Sequence, residues 1–258
     1  SVPPASAPSA SRGRRAMQDF AYNDFTSCGV FTCSWNQTLC TFVDERAPAT
    51  TTCYCCTDVL YTMMTGVVGV LRAANMTLFA TYGTLLGAHR HGDVLPWSAD
   101  ADIGVLAHDL QRVASTREAL AAAGLTLMPG GSGEFARVCR SPHDIASPPS
   151  PPLSSSEYIE TLPYVDLYGV AVQLTFVRGR PRRLLNHFGT PCRMRFDTSL
   201  LLPLQARGVR VRGMHLPAPA RIERVLEHMY GADWREPKRY FHSPDERDVR
   251  GCSTSILL

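Results

Sequence analysis

Lysine is nearly absent from this chain: among 26 basic residues only Lys238 is not arginine. A Walker-type phosphate loop is thereby excluded, because Lys238 has no glycine-rich lead. Clustered positive charge is missing too. The net charge is only +3 over 258 residues, and charged residues make up 19% of the chain. Neither a nucleic-acid binder, whose phosphate-neutralising surface concentrates cations, nor an acidic disordered chain fits those values. The arginine excess carries no functional weight by itself. Long apolar runs are lacking as well: the longest, Val59 to Leu71, is broken by Tyr61, Thr62 and Thr65. It falls short of the roughly 20 residues that a bilayer span requires. The H-E-x-x-H and G-x-S-x-G patterns do not occur. Gly131-Ser132-Gly133-Glu134-Phe135-Ala136 fits a dinucleotide-binding glycine pattern in name, but Pro142 truncates any helix after it.

What is present is an ordinary folding chain, 45% hydrophobic and long enough for one domain with appendages. Residues 1–20 carry Pro3, Pro4 and Pro8 among serines and alanines and read as a tail or linker. No apolar signal core follows Ser1, so membrane contact is expected only through an anchor upstream of it. Residues 21–56 form a cysteine-rich segment with few aliphatic side chains, which cross-links or a metal should organise. The folded domain is expected over 57–258, with a flexible Pro/Ser-rich insert at 141–156. Nine cysteines and two sequons, Asn36-Gln37-Thr38 and Asn75-Met76-Thr77, point to a secretory lumen.

Leu60, Met63, Met64, Val67, Val68 and Leu71 recur at helical spacing behind Thr57 and Asp58 as caps, the pattern of a core helix. A strand at Leu78–Tyr82, a Gly turn with a short helix at Gly83–Arg90, and a strand at Asp100–Leu106 follow. The spacing then predicts a helix over Asp109–Ala123 and strands at Leu125–Met128, Phe135–Cys139 and Pro163–Val172. Last come a ribbon through Val209, Val211 and Leu216 and a helix with Ile222, Val225, Leu226, Met229 and Tyr230 on one face. Strands alternating with helices indicate a mixed sheet of α/β or α+β type.

Side chains alternate along a strand, so Asp100 and Asp102 share one face while Ala101, Ile103 and Val105 share the other. Same-face Cα atoms lie about 6.5–7 Å apart, within reach of one hard cation. The alternative is a solvated polar face, which must tolerate two crowded like charges. Asp166 sits alone in Tyr164-Val165-Asp166-Leu167-Tyr168, where burial without a partner is costly. It is a candidate third ligand or a general base, and otherwise a hydrogen-bonded strand aspartate. Gly83 and Thr84 open a helix just after a strand, where backbone N–H groups and the helix dipole suit a phosphate. Arg90 and His91, one helical span later, are further candidate phosphate contacts, or simply solvated.

The stretch GTLLGAHRHGDVLPWSADADIGV, Gly83 to Val105, resembles the signature of the LicD/fukutin family: G-T-L-L-G, then R-x-G, then P-W ahead of D-x-D. Leu202-Pro203-Leu204, Val209 to Pro217 and Tyr230-Gly231-Ala232-Asp233-Trp234 are similar to the family's C-terminal tail. The resemblance implies an α+β nucleotidyltransferase-like fold of the polymerase-beta type, with Asp100, Asp102 and Asp166 as its catalytic and metal-binding acids. Mg²⁺ or Mn²⁺ would be the cofactor. Cys33, Cys40, Cys55 and Cys56 resemble a four-cysteine structural zinc loop of the fukutin-related branch, with disulfides as the alternative. One departure stands out: where the family carries further acids after Pro-Trp, this chain has Ser98 and Ala99.

The expected activity is therefore a metal-dependent phosphotransfer. A phosphoribitol- or phosphocholine-like group would move from a CDP-linked alcohol to a hydroxyl of a glycan or glycoprotein, in the Golgi, without nucleic acid. The rival is a catalytically silent lumenal module, glycan-binding or chaperone-like, motivated by Ser98 and Ala99. Acids facing apart, or an arginine filling the gap between them, would remove the first reading.

Overall fold

The structure is a computed structural model. It describes Cys28 and residues 57–95, 98, 100–128, 135–141, 163–177, 180–187 and 195–236, with the backbone alone at 34–35, 54–55, 173–177, 180–187 and 195–196. The tail at 1–20, the insert after Ser141, and the side chains of Cys33, Cys40, Cys55 and Cys56 lie outside the described residues.

A short ribbon pairs β1 (Ser34–Trp35) with β2 (Tyr54–Cys55). Helix α1 (Thr57–Ala73) follows and buries the six apolar residues of its predicted stripe. The sheet then builds from β3 (Leu78–Ala80), β4 (Asp100–Leu106), β5 (Leu125–Leu127), β6 (Phe135–Arg140) and β7 (Tyr164–Val177), in the order β3-β4-β7-β6-β5. β8 (Arg180–His187) continues on β7, and β9 (Arg195–Asp197) on β8. β4 and β7 run parallel while the other described pairs are antiparallel, so the sheet is mixed. Helix α2 (Tyr82–His91) links β3 to β4. A hairpin of β10 (Gln205–Val211) and β11 (Met214–Ala218) and a last helix (Ile222–Tyr230) complete the α+β architecture.

The pleat sorts the chemistry. Ala101, Ile103, Val105, Val165, Leu167 and Val138 point to one face and join the α1 stripe in the main core. Phe79, Val170 and Leu201 form a smaller cluster on the other side. The Phe79 ring lies where a side chain at Gly104 would stand. That cluster covers the far ends of β4 and β7 and leaves their beginnings for other use.

Three expectations change in detail. The helix predicted over 109–123 divides into a short helix (Ala107–Leu110), a 3-10 turn (Val113–Thr116) and another short helix (Arg117–Ala122). Local bonds explain the break: the buried Asp109 carboxylate accepts from the Thr77 N–H and from Arg112, while the Ser115 and Thr116 hydroxyls donate to carbonyls three residues back. β7 runs to Val177, past the predicted end, because it gains a new partner, β8, from Val170 onward. Finally, Cys28 is joined to Cys139 on β6, tying the cysteine-rich segment to the sheet across 111 residues of sequence. Of the sequons, Asn36 lies outside the described residues, whereas Asn75 and Thr77 are exposed in the turn after α1.

Candidate active site

The site begins with strand register. In the parallel pair Asp100 stands opposite Tyr164, Asp102 opposite Asp166 and Gly104 opposite Tyr168. On the other side of β7, antiparallel β6 sets Arg137 opposite Asp166, Phe135 opposite Tyr168 and Cys139 opposite Tyr164. All nine residues share one face because the side-chain period is two. One row therefore reads Asp102, Asp166, Arg137 across three strands. Carboxylate oxygens of Asp100, Asp102 and Asp166 lie within 4.8 Å of one another. The acids from two separate segments meet.

Each acid is held differently. Asp100 accepts a 2.7 Å hydrogen bond at Oδ1 from the Ser98 hydroxyl. Asp102 is gripped by the start of α2: its Oδ2 accepts from the Gly83 N–H at 2.8 Å, and its own N–H donates to the Thr84 hydroxyl at 2.7 Å. An ideal Cβ at Gly83 would stand 3.0 Å from Asp102 Oδ2, so glycine permits this approach. Tyr82, just before, has a φ of 41°, a left-handed conformation costing a non-glycine residue about 1–2 kcal/mol. Gly83 and Thr84 thus serve the carboxylate. Asp166 receives two bonds from Arg137, Nε to Oδ1 at 2.6 Å and NH2 to Oδ2 at 2.9 Å, and one from the Tyr168 hydroxyl at 3.3 Å.

Electrostatics follow from burial. Asp102 is only 6% exposed and Asp166 3%. Burial, and then the charges of Asp100 and Asp166, push the Asp102 carboxyl well above the usual carboxylate range. Burial pushes Asp166 up to about 6, against the pull of the Arg137 hydrogen bonds and charge. Burial works against the Arg137 charge, and the bonds and charge of Asp166 more than offset it, so the guanidinium stays ionised. Burial also raises Tyr168 and Tyr230, helped by the Asp102 charge, and keeps both phenols protonated. Three crowded carboxylates of this kind are a hard-oxygen donor set of the type that holds Mg²⁺ or Mn²⁺.

The remaining predicted residues lie elsewhere on α2. Arg90 and His91 occupy its last turn, at the opposite end from Gly83. Arg90 Nε donates to His91 Nε2 at 2.8 Å, and its NH1 to the Trp234 carbonyl at 3.3 Å. Burial and then the Arg90 charge hold His91 below its ordinary value, which suits an acceptor nitrogen. Trp234 is buried with its ring beside His89. The Tyr-Gly-x-Asp-Trp tail therefore braces α2. The glycine after Leu86 works the same way: an ideal Cβ at Gly87 would stand 2.6 Å from the Asp93 carbonyl, so Gly87 lets the loop into β4 pack on the helix.

Sequence reasoning missed Arg137 and the tyrosines around it. Phe135-Ala136-Arg137-Val138-Cys139 does carry a signal, a lone cation in an alternating apolar strand, but naming its partner needs the register of β6 on β7. Arg137 is an arginine salt-bridged to one of the acids, but it reaches Asp166 from the side of β7 away from β4, not from between the two strands that carry the acids. The oxygens of all three acids remain together.

These residues fall inside a recognisable domain. A family model described as "LicD/FKTN/FKRP, nucleotidyltransferase domain" matches residues 75–221, more than half of the chain. Human ribitol 5-phosphate transferase FKRP is 29% identical over 192 residues, covering 72% of this chain and 34% of the human protein. The mouse ribitol 5-phosphate transferase FKRP is 37% identical over 89 residues, 33% of this chain and 18% of its own length. This chain thus spans about a third of the human relative. With the Gly83–Thr84 helix start, the Asp100–Asp102 pair and Asp166 all within the matched residues, the chain belongs to the LicD/FKTN/FKRP family.

Proposed function

We propose that this chain transfers a phosphorylated polyol, ribitol 5-phosphate first among candidates, from a CDP-linked donor to a glycan hydroxyl. Mg²⁺ or Mn²⁺ would be held by Asp100, Asp102 and Asp166 on a nucleotidyltransferase-type fold, in the secretory pathway. The observation that carries this reading is the convergence of three carboxylates, two of them buried, from two parallel strands. A bound divalent ion would offset the charge of the donor diphosphate and of the departing nucleotide. The chain's own residues set the geometry. Gly83 and Thr84 fix Asp102, Ser98 fixes Asp100, and Arg137 with Tyr168 fixes Asp166. The acceptor oxygen forms a bond to the phosphorus bearing the polyol, the bond to the bridging oxygen breaks, and CMP leaves. The acceptor proton passes to a base, a role that Asp166 would fill only in place of holding the ion.

The test is release of CMP from a panel of CDP-linked alcohols with a glycan acceptor and Mn²⁺. Asp102→Asn is expected to lower turnover about a thousandfold and to abolish Mn²⁺ binding. Unchanged Mn²⁺ binding in that variant overturns the metal assignment. The Arg137 grip on Asp166 and the Ser98–Ala99 substitution favour one rival, the catalytically silent glycan-binding or chaperone-like module. It wins if the unaltered protein releases no CMP from any donor yet still retains a glycan.

A further inference from the structure

We propose that Arg137 couples cation binding to donor binding, so that the divalent ion and the donor's diphosphate bind far more tightly together than either does alone. The proposal rests on the reading above, that the three acids hold a metal and the substrate is a nucleoside diphosphate. Arg137 enters neither the sequence motif nor the acid triad, yet it stands in the same cross-strand row as Asp102 and Asp166. Its orientation is fixed from two directions. Both Asp166 oxygens accept from it, and its guanidinium lies over the Tyr164 ring at 3.9 Å and near the Phe135 ring at 5.6 Å. The side chain is only 14% exposed. A buried, braced, permanently charged group one strand from the ligands is part of the site's electrostatics whatever else binds there.

The charge count supplies the mechanism. With its protons displaced by the ion, the site has three ionised carboxylates against one guanidinium, an excess of two negative charges that a divalent cation balances. Arg137 nevertheless repels that cation, because both seek the same carboxylate. A carboxylate oxygen accepts more than one partner, so Asp166 can keep Arg137 while it faces an ion. The repulsion weakens the cation on its own. When a diphosphate arrives it becomes a second partner for Arg137, which then yields part of its hold on Asp166 to the cation, so the penalty on the cation falls. Such a coupling is reciprocal: whatever the nucleotide does for the metal, the metal does for the nucleotide. Arg137 is in this sense a positioning residue for Asp166 and a counter-charge for the donor.

The experiment is a calorimetric titration of Mn²⁺, with and without CDP, at about pH 8 to limit proton competition. The unaltered protein, Arg137→Gln, Arg137→Met and Arg137→Lys are compared after circular dichroism confirms their folding. In the unaltered protein CDP is expected to tighten Mn²⁺ binding about tenfold or more, within the usual range of coupling. Arg137→Gln and Arg137→Met should bind Mn²⁺ alone about fivefold more tightly and keep only the part of the CDP gain that comes from the direct attraction of ion and diphosphate, at least about threefold below that of the unaltered protein. Arg137→Lys, which retains charge without the paired bonds, should keep an intermediate gain. An unchanged gain in the neutral variants, or weaker Mn²⁺ binding by them without CDP, overturns the proposal and makes Arg137 a brace alone. If the neutral variants do not fold, Arg137→Lys decides: a CDP gain equal to that of the unaltered protein overturns the proposal, and a smaller one supports it. No Mn²⁺ binding to the unaltered protein under either condition is a different failure: it removes the metal reading and this inference with it.

Discussion

Strands β4 and β7 present two faces built from neighbouring residues. On one, Ala101, Ile103, Val105, Val165 and Leu167 pack beneath α1 in the main core. On the other, one residue away at each step, Asp100, Asp102 and Asp166 bring their oxygens within 4.8 Å. The backbone hydrogen bonds are shared, so the difference lies wholly in the side chains. The apolar face stabilises the fold through area removed from water, which neither pH nor a cation alters. The acidic face opposes folding by the desolvation and mutual repulsion of its charges, and Arg137 offsets only part of that. A one-residue slip would exchange the faces, so the core that fixes the register also fixes the site.

That contrast can be broken at either face. Ile103→Ala should cost about 2–5 kcal/mol of stability, read as the midpoint of chemical denaturation, and leave the Mn²⁺ affinity of the folded protein nearly unchanged. Asp102→Asn should do the reverse: loss of Mn²⁺ binding, with metal-free stability unchanged or raised by about 1 kcal/mol. A large loss of stability in that variant would mean the acid is a structural partner. Such a result would break the division of labour between the two faces.

A pH series sharpens the same point. Asp166 is raised to about 6 and Asp102 is raised as well, so the folded state binds more protons than the unfolded chain between the ordinary carboxylate range and that value. The favourable contribution of Asp166 to metal-free stability is present at low pH and is lost as the pH rises through about 6, on the order of 2 kcal/mol, and that of Asp102 has the same sign. A divalent ion requires the deprotonated acids, so its stabilisation has the opposite slope. The thermal midpoints with and without Mn²⁺ should diverge on going from pH 5 to pH 7.5. Parallel curves would show that no ion binds these acids. An effect of similar size, away from the acids, is expected at Gly87→Ala, where the new methyl group meets the Asp93 carbonyl at 2.6 Å. About 1–3 kcal/mol should be lost, with a modest fall in Mn²⁺ affinity as the loop into β4 shifts.

Much of this was legible before any coordinates. The α1 stripe, the period-two pattern of Asp100 to Val105 and the lone Asp166 each carry their meaning within a few residues. Local periodicity is enough to say which side chains share a face. The broken helix after Ala107 was less legible, because its interruption depends on Asp109 reaching the Thr77 N–H and Arg112, one of them 32 residues away. The Arg90 and His91 placement shows a related limit: helical spacing put them on α2 correctly, but that Arg90 bonds to His91 and to the Trp234 carbonyl depends on the tertiary fold. Arg137 and the Cys28–Cys139 link were hidden for the same reason, since each joins segments that only the sheet brings together.

By itself the sequence determined the alternation that gives each strand an acidic and an apolar side, and the glycine and threonine that allow a helix to begin against a carboxylate. Tertiary structure alone decided that β7 lies parallel beside β4 with Asp166 opposite Asp102, and that β6 sets Arg137 on the same row. The physical reason is range. Alternation is a local property of the backbone, whereas register between distant strands is set by how their apolar faces pack together.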